Sequence, residues 1–252
     1  MSVPPTHARP MEAELRVGHI FNSAWAIFRA NLPAFFTIGL IVALPSLLLG
    51  LAPEFTLPGP SPAPDAFEWR AFIGWLLAMA LNMVAEAVIL YVAFQYLRGQ
   101  QASIGDAVQK GLVRFFPIIG VLILFALGVG LGFFSLIIPG IVLMVRWSVA
   151  VPVCVVEGLG PVTSLGRSAT LTKGHGWKIF GLFLLIWIVS ATVTGLLSLA
   201  TRPLGATAEA IADFLWTAVW TGYFNSVLVM VYHDLRVARD GVDIDQIAAV
   251  FD

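Results

Sequence analysis

Apolar residues gather into six stretches, near 33–52, 71–97, 116–135, 138–157, 178–200 and 210–232. A helix needs about 20 mostly apolar residues to cross the hydrocarbon core of a bilayer. The pattern therefore predicts an all-α polytopic membrane protein with six transmembrane helices. The third and fourth stretches run together, and only Pro139-Gly140 separates them. Proline cannot continue a helix hydrogen-bond ladder and glycine tolerates turn geometry, so a tight helical hairpin is expected there.

Between the stretches the pattern changes three times in a similar way. VGHIFNSAWAIFRANLPAFF (17–36), SIGDAVQKGLVRFFPII (103–119) and TSLGRSATLTKGHGWKIF (163–180) mix polar, small and basic residues with apolar ones. Each then reaches an aromatic cluster and a span. Amphipathic periodicity with Trp or Phe beside Lys or Arg suits a helix lying in the membrane interface. The expected unit is a short interfacial helix followed by a two-span hairpin. Three such units starting on the same side make a pseudo-threefold parallel repeat. The blander alternative is that these are only the basic, aromatic flanks of spanning helices.

Composition agrees with the pattern. Hydrophobic residues make up 59% of the chain and charged residues 12%, where a soluble domain carries about 25% charged residues. The formal net charge of −1 gives no sign of a nucleic-acid partner. Where the charges fall decides more. Arg9, Arg16, Arg29, Arg98, Lys110, Arg114, Arg167, Lys173, Lys178, Arg236 and Arg239 collect on one side of the predicted spans, eleven of the 14 basic residues. Positive loops stay cytoplasmic, so both termini are expected there. Domain organisation follows: a loose N-terminus over 1–12, one six-span domain over 13–236 and a cytoplasmic tail over 237–252. The start lacks the pattern of a cleaved signal peptide, so the first span is expected to be retained. The proline-rich segment 52–70 is expected to be an irregular external loop.

Several polar residues interrupt the spans. The second carries Asn82 and Glu86, the fifth Ser190, Thr194 and Ser198, and the sixth Asp213, Thr217, Thr221 and Asn225. Four-residue spacing keeps such side chains on one face. They serve either as glue between helices or as a polar pathway, since ionisable groups inside spans are costly and often functional. Arg146 breaks the fourth stretch. At 1.5 Å per residue it lies roughly 9 Å inward of Gly140, close to the depth expected for Asp213, while Glu86 lies deeper. Arg146 is therefore expected to pair with Asp213 or to snorkel to the external interface. Gly128 and Gly132 form a close-packing face, with the fourth span as its nearest partner.

No nucleophile elbow, P-loop, dinucleotide fingerprint or zinc-protease pair is present. Cys154 is the only cysteine and reads as a small buried packing residue. The four histidines fall at span ends with no ligand cluster beside them, so neither metal nor cofactor is expected. Arg114, Arg167, Lys173 and Lys178 are candidates for contact with anionic lipid headgroups.

The stretches IIPGIVLMVRW, PVCVVEG, SLGRSATLTKGHGWKIF and YHDLRVARDG together resemble the glycerophosphoryl diester phosphodiesterase membrane-domain family of bacterial inner-membrane proteins. The resemblance is strongest over 100–240. In some relatives a soluble phosphodiesterase domain follows the membrane domain. Here little follows the sixth span before Asp252, so a membrane part without that domain is expected. Glu157, Arg167 and Ser168 match the family's pattern, and a Glu157–Arg167 charge pair is expected to set the angle of the interfacial helix. The resemblance implies a non-enzymatic module of the bacterial inner membrane. It would act through lipid contacts or another membrane protein, in envelope or lipid homeostasis, with the tail DGVDIDQIAAVFD facing a partner. The alternative is a small transporter or channel. A water-filled cavity lined by Glu86, Asn225 and Thr194 would favour transport, and a dry bundle the module.

Overall fold

The computed structural model describes residues 17–55, 69–100 and 104–240. Among them every regular element is helical. Helix α1 (Val17–Ala30) meets α2 (Leu32–Phe55) at a bend of 85°. Pro33 supplies no N–H and its ring would clash with the carbonyl four residues back, at Arg29, so α1 cannot run on through it and the chain turns at Asn31. Asn31 steadies the turn by donating its side-chain N–H to the Ile27 carbonyl at 3.0 Å. Helix α3 (Trp69–Leu97) is closed by Gly99 at φ 68°, a left-handed cap that favours glycine.

Helix α4 (Ile104–Ser135) runs through Pro117 without interruption. The interfacial helix expected over 103–119 is therefore not a separate element. Residues 104–119 form the first part of one long helix. Separate short helices do precede the other two segments, as α1 before α2 and as α7 (Pro161–Leu171) before α8 (Gly176–Thr201). A 3-10 turn (Arg202–Leu204) then leads into α9 (Ala206–Asp240).

The hairpin after α4 turns at Leu136, which is extended at φ −163° and ψ 150°. Pro139 and Gly140 lie in the first turn of α5 (Ile137–Arg146) rather than in the loop. The first amides of a helix have no intrahelical partner, so a proline there costs little. A second break follows at residues 147–149, before α6 (Ala150–Val156). Pro152 explains it: its ring clashes with the carbonyl four residues back, at Ser148, and it supplies no N–H.

Four stretches are long and apolar enough to cross a membrane: Gly105–Ser135, Ile137–Val156, Gly176–Leu204 and Ala206–Asp240. The bent pair of α1 and α2 makes a fifth if counted as one, and Asn82–Leu97 is a shorter apolar helix. Leu127, Leu131 and Phe134 on α4, and Trp187, Leu196 and Leu199 on α8, lie exposed. So many large apolar side chains on the surface suit contact with lipid rather than water.

Helix α9 is the hub, packing along α2, α1 and α3. Small residues permit the approach. A Cβ on Gly222 would sit 2.9 Å from Phe28 and Phe35, and one on Gly39 would strike the Ala218 backbone. A second core joins α3, α4, α6 and α7 through Met83, Ile118, Val121, Cys154 and Leu165. Cys154 is buried there. The expected glycine face on α4 meets the next span: Gly132 abuts Gly140, and Gly128 faces the Trp147 ring.

Candidate functional site

A cavity of about 680 Å3 opens between α3, α4, the α5–α6 break, α8 and α9. That volume is within the range of small-molecule pockets. Its wall is largely apolar and rich in rings, with Phe125, Trp147, Phe183, Trp187, Trp220 and Phe224 among the lining residues. Leu184 and Trp187 line the cavity and are also exposed on the flank of α8. The cavity thus opens sideways, through the apolar surface. Among the described lining residues Glu86 is the one ionisable group, accompanied by Ser148 and Ser190.

Glu86 is positioned by α3, whose residues Met83 and Ala87 pack into the core with α4 and α6. Among the described residues its carboxyl has no hydrogen-bond or ion-pair partner. Asn82, one turn earlier, is exposed.

The span break forms part of the cavity wall through Trp147 and Ser148. It also releases the Arg146 carbonyl, because the Ala150 N–H bonds Trp147 instead. Two hydroxyls from the other side of the chain accept the task of satisfying it. Ser168 Oγ donates to that carbonyl at 2.9 Å, and Thr172 Oγ1 lies 3.1 Å from it, its one proton shared with the Ser168 carbonyl at 2.9 Å. Irregular backbone at membrane depth is tolerated where protein satisfies it or where it lines a cavity, and both conditions hold here.

These bonds relocate Arg146. Thr172 is in the α7–α8 turn, and Val145 lies beside Gly176, the first residue of α8. Asp213 lines a different, 400 Å3 crevice with Thr194, Ser198 and Glu209 at the far end of α8. From Gly176 to Thr194 the helix rises roughly 27 Å, several times the reach of an arginine. The expected Arg146–Asp213 pair therefore does not form. Depth counted from Gly140 misjudged it because α7 folds back and starts α8 beside Arg146. The Arg146 side chain is exposed instead.

The polar stripes divide likewise. Thr221 donates to the Thr217 carbonyl and Asn225 Nδ2 to the Thr221 carbonyl, at 2.8 and 2.9 Å. They satisfy their own helix, as hydroxyls and amides in apolar surroundings do. Among the described residues Asn225 Oδ1 is buried without a partner, and neither Asn225 nor Thr194 lines the cavity of Glu86.

A charged cluster ties the chain together at the other polar region. Arg167 Nε lies 3.2 Å from Glu157 Oε2, so the expected pair is present, and its guanidinium also pairs with Asp240. The Tyr232 hydroxyl donates to Glu157 at 3.0 Å, and Arg236 lies 3.9 Å from Asp240. Asp240, chiefly by its hydrogen bond, and Glu157 push the Arg167 pKa above its already high ordinary value. The cluster joins the end of α6, α7 and the last turns of α9. The Phe94 ring packs on Tyr232 and carries Arg98 at 4.7 Å, and His19 of α1 lies 3.8 Å from Asp234. Arg98, Arg167 and Arg236 thus share one end of the bundle.

Of the headgroup candidates, Arg167 is committed to this cluster. Arg114 donates to the Gly158 carbonyl at 2.8 Å, bracing the turn between α6 and α7. Lys173 and Lys178 are exposed. The aromatic wall was not singled out from the chain. The signal for it is Phe180, Phe183 and Trp187 at helical spacing on α8, matched by Trp220 and Phe224 on α9. No family model matches the chain, and no curated protein or solved structure is significantly similar to it.

Proposed function

We propose that the protein is a non-catalytic integral membrane module that holds an apolar or amphipathic molecule in the cavity around Glu86. The observation that carries the reading is the cavity itself, sited among lipid-exposed helices and opening through their apolar flank. The membrane arrangement in this reading has six spans, α3 and the bent α1–α2 pair included, with both termini cytoplasmic. The gathering of Arg98, Arg167 and Arg236 at one end supports that orientation under the positive-inside rule. A place in the bacterial inner membrane, in lipid or envelope homeostasis, and kinship with phosphodiesterase membrane domains are parts of the same proposal.

The test is purification from native membranes in mild detergent, followed by native mass spectrometry of what remains bound. A retained apolar molecule is expected, and Val151→Trp, which fills the cavity, should expel it. Retention of nothing, or of the same molecule by the filled variant, would overturn the reading. A second reading, a small transporter, is favoured by one observation: a broken span lines the cavity, as broken helices line transporter sites. Uptake by reconstituted vesicles that Val151→Trp abolishes would favour it over a static module.

A further inference from the structure

We infer that the molecule held in this cavity is a hydrophobic monocation, a bulky apolar body bearing one amine, ammonium or comparable positive charge and no phosphate. The inference rests on the cavity being a binding site. Its own ground is charge complementarity. An ionisable group within the membrane is costly and normally finds a partner, yet no described residue partners Glu86. The wall around it adds Phe125, Trp147, Phe183, Trp220 and Phe224, and aromatic faces attract cations, most strongly where water is excluded. Trp220 and Phe224 stack on one another along α9, their centroids 6.5 Å apart at 24°.

The same wall argues against a phospholipid headgroup. A phosphate needs Arg, Lys or backbone N–H donors, and no Arg or Lys lines the cavity among the described residues. Arg146, next to the lining residues Val145 and Trp147, turns its side chain outward to the surface. An anion placed there would meet a carboxyl group and aromatic rings, with no cationic side chain to hold it. A cation meets a carboxyl group that its own charge favours ionising, together with several aromatic rings, and its apolar body replaces contacts that the open cavity lacks.

The test uses the purified full chain in lipid nanodiscs and three probes of similar apolar bulk. They are tetraphenylphosphonium, its anionic counterpart tetraphenylborate, and the neutral N-phenylnaphthylamine, read by tryptophan fluorescence and equilibrium dialysis. Tetraphenylphosphonium is expected to bind saturably and more tightly than the borate, and Glu86→Gln to weaken it about tenfold while sparing the neutral probe. Glu209→Gln, in the separate crevice, should change nothing. Displacement by stearylamine in the bilayer would mark a lipid amine as the source, and displacement by a soluble aromatic ammonium a free solute. Either supports the inference.

Equal binding of all three probes, untouched by Glu86→Gln but lost in Val151→Trp, would overturn the cation inference and leave the cavity reading intact. Saturable binding of none of them would overturn both. Should Glu86→Gln not accumulate, Trp220→Leu decides: it should weaken the phosphonium more than the neutral probe, and an equal loss overturns the inference.

Discussion

Two glutamates on neighbouring elements are placed in opposite ways. Glu157, at the end of α6, receives Arg167 and the Tyr232 hydroxyl, and through Arg167 it is linked to Asp240 on α9. Glu86, on α3, faces an aromatic cavity with no described partner. A partly buried carboxylate with several donors holds elements together. One left without donors in apolar surroundings contributes nothing to folding that an uncharged side chain would not. The difference separates the part of the molecule that builds the fold from the part left open for something else.

The largest test of the contrast is Glu157→Ala. It removes the carboxylate that joins α6, α7 and α9, leaves the Arg167 and Tyr232 donors without it, and should cost about 2–3 kcal/mol, measured by reversible unfolding in detergent micelles. Glu86→Ala should cost less than about 0.5 kcal/mol or stabilise, because it relieves an uncompensated buried carboxyl. Equal costs for the two would erase the distinction.

The span break lies between the two regions, and the Ser168→Ala, Thr172→Val double variant probes it. Thr172→Val leaves the Arg146 carbonyl the Ser168 hydroxyl, and Ser168→Ala leaves it the Thr172 hydroxyl, which can turn from the Ser168 carbonyl to serve it. Together they orphan it, so the pair should cost about 2 kcal/mol, more than the sum of the singles. Additive costs would mean that the carbonyl finds another donor. Arg167→Lys is a smaller change. A lysine keeps the charge but loses the rigid fork that serves Glu157 and Asp240 together, a loss of about 1 kcal/mol in the same assay. Smallest is salt. Raising ionic strength from 0.05 to about 0.5 M should lower the wild-type stability by a few tenths of a kcal/mol through the exposed edge of the cluster. The Arg167→Lys variant should respond less, and a larger response in it would show that the pairs are weaker than their geometry implies.

Local patterning made much of this legible. The apolar runs marked the long helices, and Gly128 and Gly132 marked the face that meets Gly140 and Trp147. Glu157 and Arg167 were readable as a pair because only ten residues and one turn separate them. Pro152 carries the cause of the break at 147–149, though the break's capping by Ser168 and Thr172 is not a local property. The stripe of Thr217, Thr221 and Asn225 was legible as a stripe, but its spacing did not reveal that each donor turns back on its own helix.

The sequence by itself determined that this chain makes long apolar helices, where several of them end, and that its basic residues cluster. These depend on side-chain period, on proline and glycine, and on charge, all read within one or two helical turns. Only the tertiary structure decided that α7 folds back beside Arg146, that Asp213 lies at the far end of α8, and that Glu86 opens onto a ring-lined cavity. Those outcomes depend on how helices tilt and where they stand apart. A one-turn shift of one helix against another changes every partner while leaving each helix's own pattern untouched.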